Sequence, residues 1–177
     1  MDPFATLGVP RRYELDLLAV EKTHRELSRA LHPDRFAGAS PSERRDALAK
    51  AVEVNEAWRI LRDPIRRAEA LLRLLGVPVG EDREPKADPD FLMEMLEQRE
   101  ALAEAKASRD LPAVRSLAKG IEGRARAVEG ELGTAFDLDE SAQGAAAREA
   151  VVRKLGELRF YRRFLEEVSA IEDELAA

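Results

Sequence analysis

The chain has 177 residues, 45% hydrophobic and 36% charged, with a net charge of -6 and no cysteine. That length holds one domain or two small ones, and the balance of apolar and charged residues fits a folded, helix-rich protein. The lack of cysteine excludes disulfides, thiolate nucleophiles and thiolate-held clusters within this chain, and its two histidines leave little basis for a zinc site. Charge is divided unevenly: 14 Lys/Arg against 12 Asp/Glu in residues 1–75, giving +2, and 15 against 23 in the remainder, giving -8. An acidic second half argues against nucleic acid, which needs clustered positive charge to release counterions. The opening "MDPFATLGVP" lacks a basic stretch followed by an apolar core, and no apolar run is long enough to cross a bilayer. A cytoplasmic protein without membrane contact is expected.

Every major segment reads as helix, and strands are not expected. Asp2-Pro3 opens a short turn that Gly8 ends. Asp16 caps the next helix, with Leu15 and Val20 placed for a hydrophobic staple across the cap. Val20, His24, Leu27 and Leu31 then follow helical spacing as one apolar stripe, and Lys22, Arg25 and Arg29 share another face. Pro33 stops the helix, because the residue before a proline is pushed out of the α region. Ser40-Pro41-Ser42-Glu43 is a capping box with proline at the first helical position, and its helix aligns Val54, Ala57, Trp58 and Leu61. Asp63-Pro64 caps a fourth helix that Gly76 and Pro78 end.

"VPVGEDREPKADP" has no periodicity and is rich in Pro, Gly and charge, which marks a linker. The chain therefore divides into residues 1–76, a linker at 77–88, and a second unit at 89–177. Asp88-Pro89 caps a helix in which Phe91, Met95, Gln98 and Leu102 define a core-facing line. A break from Ser108 to Pro112 precedes a helix with apolar spacing Val114, Leu117, Ile121, Val128 and Leu132. Gly120, Gly123, Gly130 and Gly133 weaken it, and close helix packing is one reason they could be there. A third helix is expected from about Asp139 to the C-terminus through Val151, Leu155, Leu158, Tyr161, Leu165, Val168 and Ile171. Three helices with short connections make a bundle, and a monomer is the expected state.

The segment "LHPDRFAG" carries the candidate chemistry. As a bare tripeptide, His-Pro-Asp is a helix stop with polar punctuation. Catalysis by a His/Asp pair needs a third positioned group and a pocket, and no nucleophile, phosphate cradle or metal-ligand set lies nearby in sequence. A non-enzyme without resident metal or cofactor is expected. Proline instead stiffens a corner from which His32 and Asp34 project, both able to make charge-assisted hydrogen bonds across an interface. Lys22, Arg25 and Arg29 lead to that corner and present positive charge to an acidic partner. In the second unit, "FLMEMLEQREAL" and "ELRFYRRFLEEV" are more apolar than one buried stripe requires. Leu92, Met93 and Leu96 lie to one side of the core line, and Phe160 is rotated about 100° from Tyr161. Periodicity leaves two readings open, a broad core and a partner patch.

"FATLGVP", "LHPDRF" and "VNEAWRILRDPIRRAEALL" resemble a DnaJ-type J domain. In that family the HPD loop and the basic helix before it engage a DnaK-class chaperone and accelerate its ATP hydrolysis. The resemblance implies chaperone-binding roles for His32, Pro33 and Asp34, with Lys22, Arg25 and Arg29 in electrostatic support. Arg35 stands where lysine is usual, keeping the charge with a different bonding geometry. Through "FLMEMLEQREAL" and "VRKLGELRF" the full chain is similar to the HscB family, J-type co-chaperones of iron–sulfur cluster assembly. That similarity implies HscA as the chaperone and IscU, the cluster scaffold, as cargo. It also implies scaffold-binding roles for Leu92, Met93, Leu96, Glu97, Arg99, Glu100 and Phe160. A J protein serving a different client is the alternative.

Overall fold

The structure, a computed structural model, describes residues 1–80, 87–137 and 145–176. Among these residues the fold is all-α, with seven helices, one 3₁₀ turn and no strand. The chain forms two compact units, Met1–Pro78 and Val79–Ala177. Residues 81–86 of the expected linker, and the third helix's expected start at Asp139, lie outside the described residues.

In the first unit each helix start uses the device its sequence announces. Asp2 caps α1 (Pro3–Leu7), its Oδ1 accepting from the N–H groups of Phe4 at 3.0 Å and Ala5 at 3.2 Å. Gly8 ends the turn at φ 64°, a left-handed conformation that costs a residue without Cβ nothing. Burial opposes ionisation of Asp2. The Ala5 N–H, the Arg11 guanidinium 2.7 Å away and the Phe4 N–H outweigh it, holding the carboxyl below its ordinary value.

Asp16 caps α2 (Leu17–Ala30), and the Ser40–Glu43 capping box opens α3 (Pro41–Arg62). In that box Ser40 Oγ accepts from the Glu43 N–H at 3.3 Å and Glu43 Oε2 accepts from the Ser40 N–H at 2.8 Å. Ser40 holds the Glu43 carboxyl below its ordinary pKa in this way. Asp63 caps α4 (Pro64–Leu74), accepting from the Arg66 N–H at 3.0 Å.

α3 is the hub, packed against α1, α2 and α4. Phe4, Leu7, Val54, Ala57, Leu61, Ile65 and Leu72 are buried in this core. So is Arg67 of α4, whose guanidinium lies 4.7 Å over the Tyr13 ring and donates to the Leu61 carbonyl at 2.6 Å. The contact fastens the start of α4 to the end of α3 while partly satisfying a buried cation. The expected stripe on α2 differs in depth: Val20 alone is buried, whereas His24, Leu27 and Leu31 are half-buried. α2 packs mainly on α3 and touches α1 only slightly, so much of its surface is left uncovered.

The second unit comprises α5 (Pro89–Ala107), α6 (Leu111–Asp137) and α7 (Ala145–Ala176), which contact one another pairwise. Asp88 caps α5 by accepting from the Asp90 N–H at 2.8 Å. Met95, Leu102, Val114, Ile121, Val128, Leu132, Val151, Leu155, Leu158, Tyr161, Val168 and Ile171 are buried as their spacing requires. On α7 the core line runs through Phe164, fully buried, and the expected Leu165 is only half-buried. The two are adjacent, and a helix of 3.6 residues per turn drifts enough over five turns to exchange them. Three of the α6 glycines do not mark close packing: a Cβ at Gly120, Gly123 or Gly130 would meet nothing within 4 Å. Ion pairs stitch the rim. Arg124 lies 2.8 Å from Glu94, Lys106 2.7 Å from Glu174, and Arg115 2.9 Å from Glu172. Burial works against the Lys154 charge, but Glu131 at 3.0 Å and Glu157 at 3.2 Å outweigh it and raise its pKa.

Candidate functional site

The corner after α2 is built by Pro33. α2 ends at Ala30, and residues Pro33–Phe36 form the 3₁₀ turn with His32 at its cap. His32 Nδ1 accepts from the Asp34 backbone N–H at 3.3 Å, which places the ring proton on Nε2. The Asp34 carboxylate lies 3.4 Å from the same Nδ1. The His32 and Asp34 side chains are 58% and 89% exposed. One donor and one acceptor are thus held on a stiff turn and turned to solvent. Pro33 also walls an apolar recess of about 230 Å³ with Leu31, Phe36, Arg44, Ala47, Leu48 and Ala51. Leu48 and Val52, exposed on α3 nearby, were not singled out by the sequence; their i, i+4 spacing away from the core face was the available signal.

Lys22, Arg25, Arg29 and Arg35 are all exposed. Arg25 is tied to Glu21 one turn earlier, which partly offsets its charge. Lys22, Arg29 and Arg35 have no ion-pair partner among the described residues, so three cations along α2 and the corner are not committed to an ion pair there. The second histidine has a different task. His24 stacks on Trp58 of α3 with ring centroids 5.5 Å apart, and its Nε2 lies 2.9 Å from Asn55 Oδ1. It joins the two helices of the hairpin.

On α5, Leu92, Met93 and Leu96 are 43%, 60% and 52% exposed. Glu97, Arg99 and Glu100 beside them are exposed and, among the described residues, have no ion-pair partner. Phe91, placed on the core line by its spacing, is half-buried, as is Gln98. The Phe91 ring meets Phe160 edge-on at 5.6 Å and Tyr161 at 5.7 Å, so α5 and α7 bring Phe160 beside Leu92. Arg163 sits 4.7 Å over the Phe160 ring. Burial raises the Tyr161 pKa, keeping its hydroxyl protonated. Among the described residues no group of three or more His, Cys, Asp or Glu could hold a metal ion. None of their helices is long and apolar enough to cross a membrane.

Residues 2–70 match the family described as the DnaJ domain, and residues 87–169 match the HSCB C-terminal oligomerisation domain. A co-chaperone protein HscB homolog from Burkholderia multivorans is 37% identical, over 94% of this chain and 91% of the relative. The chain belongs to the HscB family of co-chaperones. A second HscB homolog, from Ralstonia nicotianae, is 42% identical over 84% of this chain and 83% of its own. The solved structure of chaperone HscB from Vibrio cholerae superposes with a TM-score of 0.84 at 32% identity, covering 99% of both chains. Within this HscB-family chain the exposed His-Pro-Asp corner lies in the J domain. The exposed flank of α5 and Phe160 lie in the HscB C-terminal domain. The relatives are co-chaperones by name rather than enzymes.

Proposed function

We propose that this chain is an adapter in iron–sulfur cluster assembly, engaging HscA through the J domain and carrying IscU on the C-terminal domain. His32, Pro33 and Asp34 make the essential chaperone contacts, with Lys22, Arg25, Arg29 and Arg35 providing electrostatic attraction. Leu92, Met93, Leu96, Glu97, Arg99, Glu100 and Phe160 receive the scaffold. The observation that carries this reading is that each unit exposes a constellation its own fold does not use: a polar corner in the first and an apolar flank in the second. Exposed apolar side chains grouped on one helix face mark interaction sites more often than single scattered ones do.

The chemistry belongs to the partner. HscA hydrolyses ATP, and the adapter supplies differential contacts that favour the hydrolysing state. Carrying both partners on one chain makes their meeting nearly intramolecular, which raises the effective concentration of scaffold at the chaperone. Hydrolysis then traps the scaffold and promotes cluster release to acceptor proteins, in the cytoplasm. The test is steady-state ATP turnover by purified HscA with this protein, with and without IscU. Turnover should rise with the protein and rise further with IscU. No stimulation would refute the chaperone contact; stimulation indifferent to IscU, with no capture of IscU in a pull-down, would assign a different client.

A further inference from the structure

We infer that Gly156 opens an anchor recess that takes one bulky apolar side chain of the bound scaffold protein. This rests on the scaffold-binding reading above and adds a specificity-determining position to it. The recess, about 470 Å³, lies between the start of α5 and the middle of α7. Its apolar walls are Pro89, Phe91, Leu92, Val152, Gly156 and Phe160. Such a volume is many times the ~30 Å³ share of a water molecule, and apolar walls offer water few partners.

The α7 residues at the recess are Val152, Arg153, Gly156, Glu157 and Phe160, spaced i, i+1, i+4, i+5 and i+8. At about 100° per residue these form one continuous face with position 156 near its centre. A side chain at that position therefore projects into the recess. Nothing in the backbone calls for glycine there: among the described residues the glycines with positive φ are Gly8 and Gly76. Glycine is a poor helix former, so its position in a 32-residue helix weakens that helix. Its local effect is the space it leaves. Gly120, Gly123 and Gly130 face open solvent; Gly156 faces a walled recess.

The walls are fixed before anything binds. Phe91 is held edge-on against Phe160 and Tyr161, and Arg163 covers Phe160. Preorganised walls reduce the ordering that binding must otherwise impose. Leu92 belongs both to the recess and to the exposed flank that continues through Met93 and Leu96, and half-buried Phe160 lines the recess beside it. A protein seated on that flank meets the recess at its edge, where one aliphatic or aromatic side chain fits.

Full-length Gly156→Leu and Gly156→Ala should be titrated with purified IscU by calorimetry, beside Leu92→Ala/Leu96→Ala. Leucine projects into the recess beside Phe160 and Val152 and should weaken binding at least tenfold; alanine, a single methyl, should weaken it less. Both are better helix formers than glycine, so the thermal midpoint should hold or rise, which separates a filled site from a damaged fold. Wild-type affinity in Gly156→Leu, with weakened binding in the leucine pair, would overturn the recess and leave the scaffold reading standing. Unchanged affinity in all three variants would overturn both. Self-association of the wild type in sedimentation velocity, abolished by Gly156→Leu at unchanged IscU affinity, would assign the recess to a second copy of the chain and overturn the inference.

Discussion

Replacing Leu92 and Leu96 together by alanine separates a binding flank from a core, because the two predict opposite signatures. The residues are 43% and 52% exposed, so roughly half of each remains to be covered on association. Full burial of a leucine is worth about 1.5–3 kcal/mol, and half of that for each of two residues comes to about 1.5–3 kcal/mol in total. At 1.4 kcal/mol per decade this is about a tenfold to hundredfold loss in affinity for IscU. Folding stability should move by no more than about 0.5 kcal/mol per residue, as for surface substitutions elsewhere. Leu102→Ala on the same helix, where the side chain is fully buried, should instead cost about 2–5 kcal/mol of folding. Calorimetric titration measures the first quantity and urea denaturation the second. Unchanged affinity in a folded double variant, or a stability loss matching that of Leu102→Ala, would refute the reasoning.

His32→Gln should leave stability within about 0.5 kcal/mol, since the side chain is exposed, while reducing HscA stimulation to background; a steady-state assay showing full stimulation would reject the role of the corner. Gly120→Ala, Gly123→Ala and Gly130→Ala should each stabilise the protein by about 0.5–1 kcal/mol, because a Cβ there meets nothing and alanine is the better helix former. A drop in urea midpoint for any of them would show a neighbour the fold does not reveal. The lowered pKa of Asp2 means that its carboxylate stabilises the fold fully above the ordinary value of 3.8, and that this contribution disappears as pH falls through the folded value. The stability gap between wild type and Asp2→Asn should therefore be constant near neutrality and close in acid; a gap independent of pH would exclude the carboxylate as its source.

Helix starts were legible because their chemistry is local. Asp2, Asp16, Ser40, Asp63 and Asp88 each cap the helix their position announces, and proline at the first helical position adds a second signal at four of them. The corner at His32-Pro33-Asp34 was legible for the same reason, and the exposed flank followed from a surplus of apolar residues over one stripe. Depth of burial was not. Phe164 and Leu165 are adjacent and both apolar, so spacing alone could not say which faces inward. The α6 glycines were open to a packing explanation because sequence does not tell how near the neighbouring helices come. The recess at Gly156 was invisible, since it depends on the start of α5 and the middle of α7, about sixty residues apart in sequence, meeting at one place.

The hairpin that carries the corner is unevenly fastened. Beyond Val20, α2 is held to α3 by half-buried Leu27 and Leu31 and by the clasp of His24 with Trp58 and Asn55. Partial covering and one polar–aromatic contact resist local opening less than a sealed core does. The charged arm is therefore latched lightly along its middle, while the 3₁₀ turn at its end rests on α3. Pro33 keeps that turn stiff, so His32 and Asp34 are presented to solvent as one piece. Asn55 and Trp58, which touch no partner in this scheme, form the α3 side of that latch.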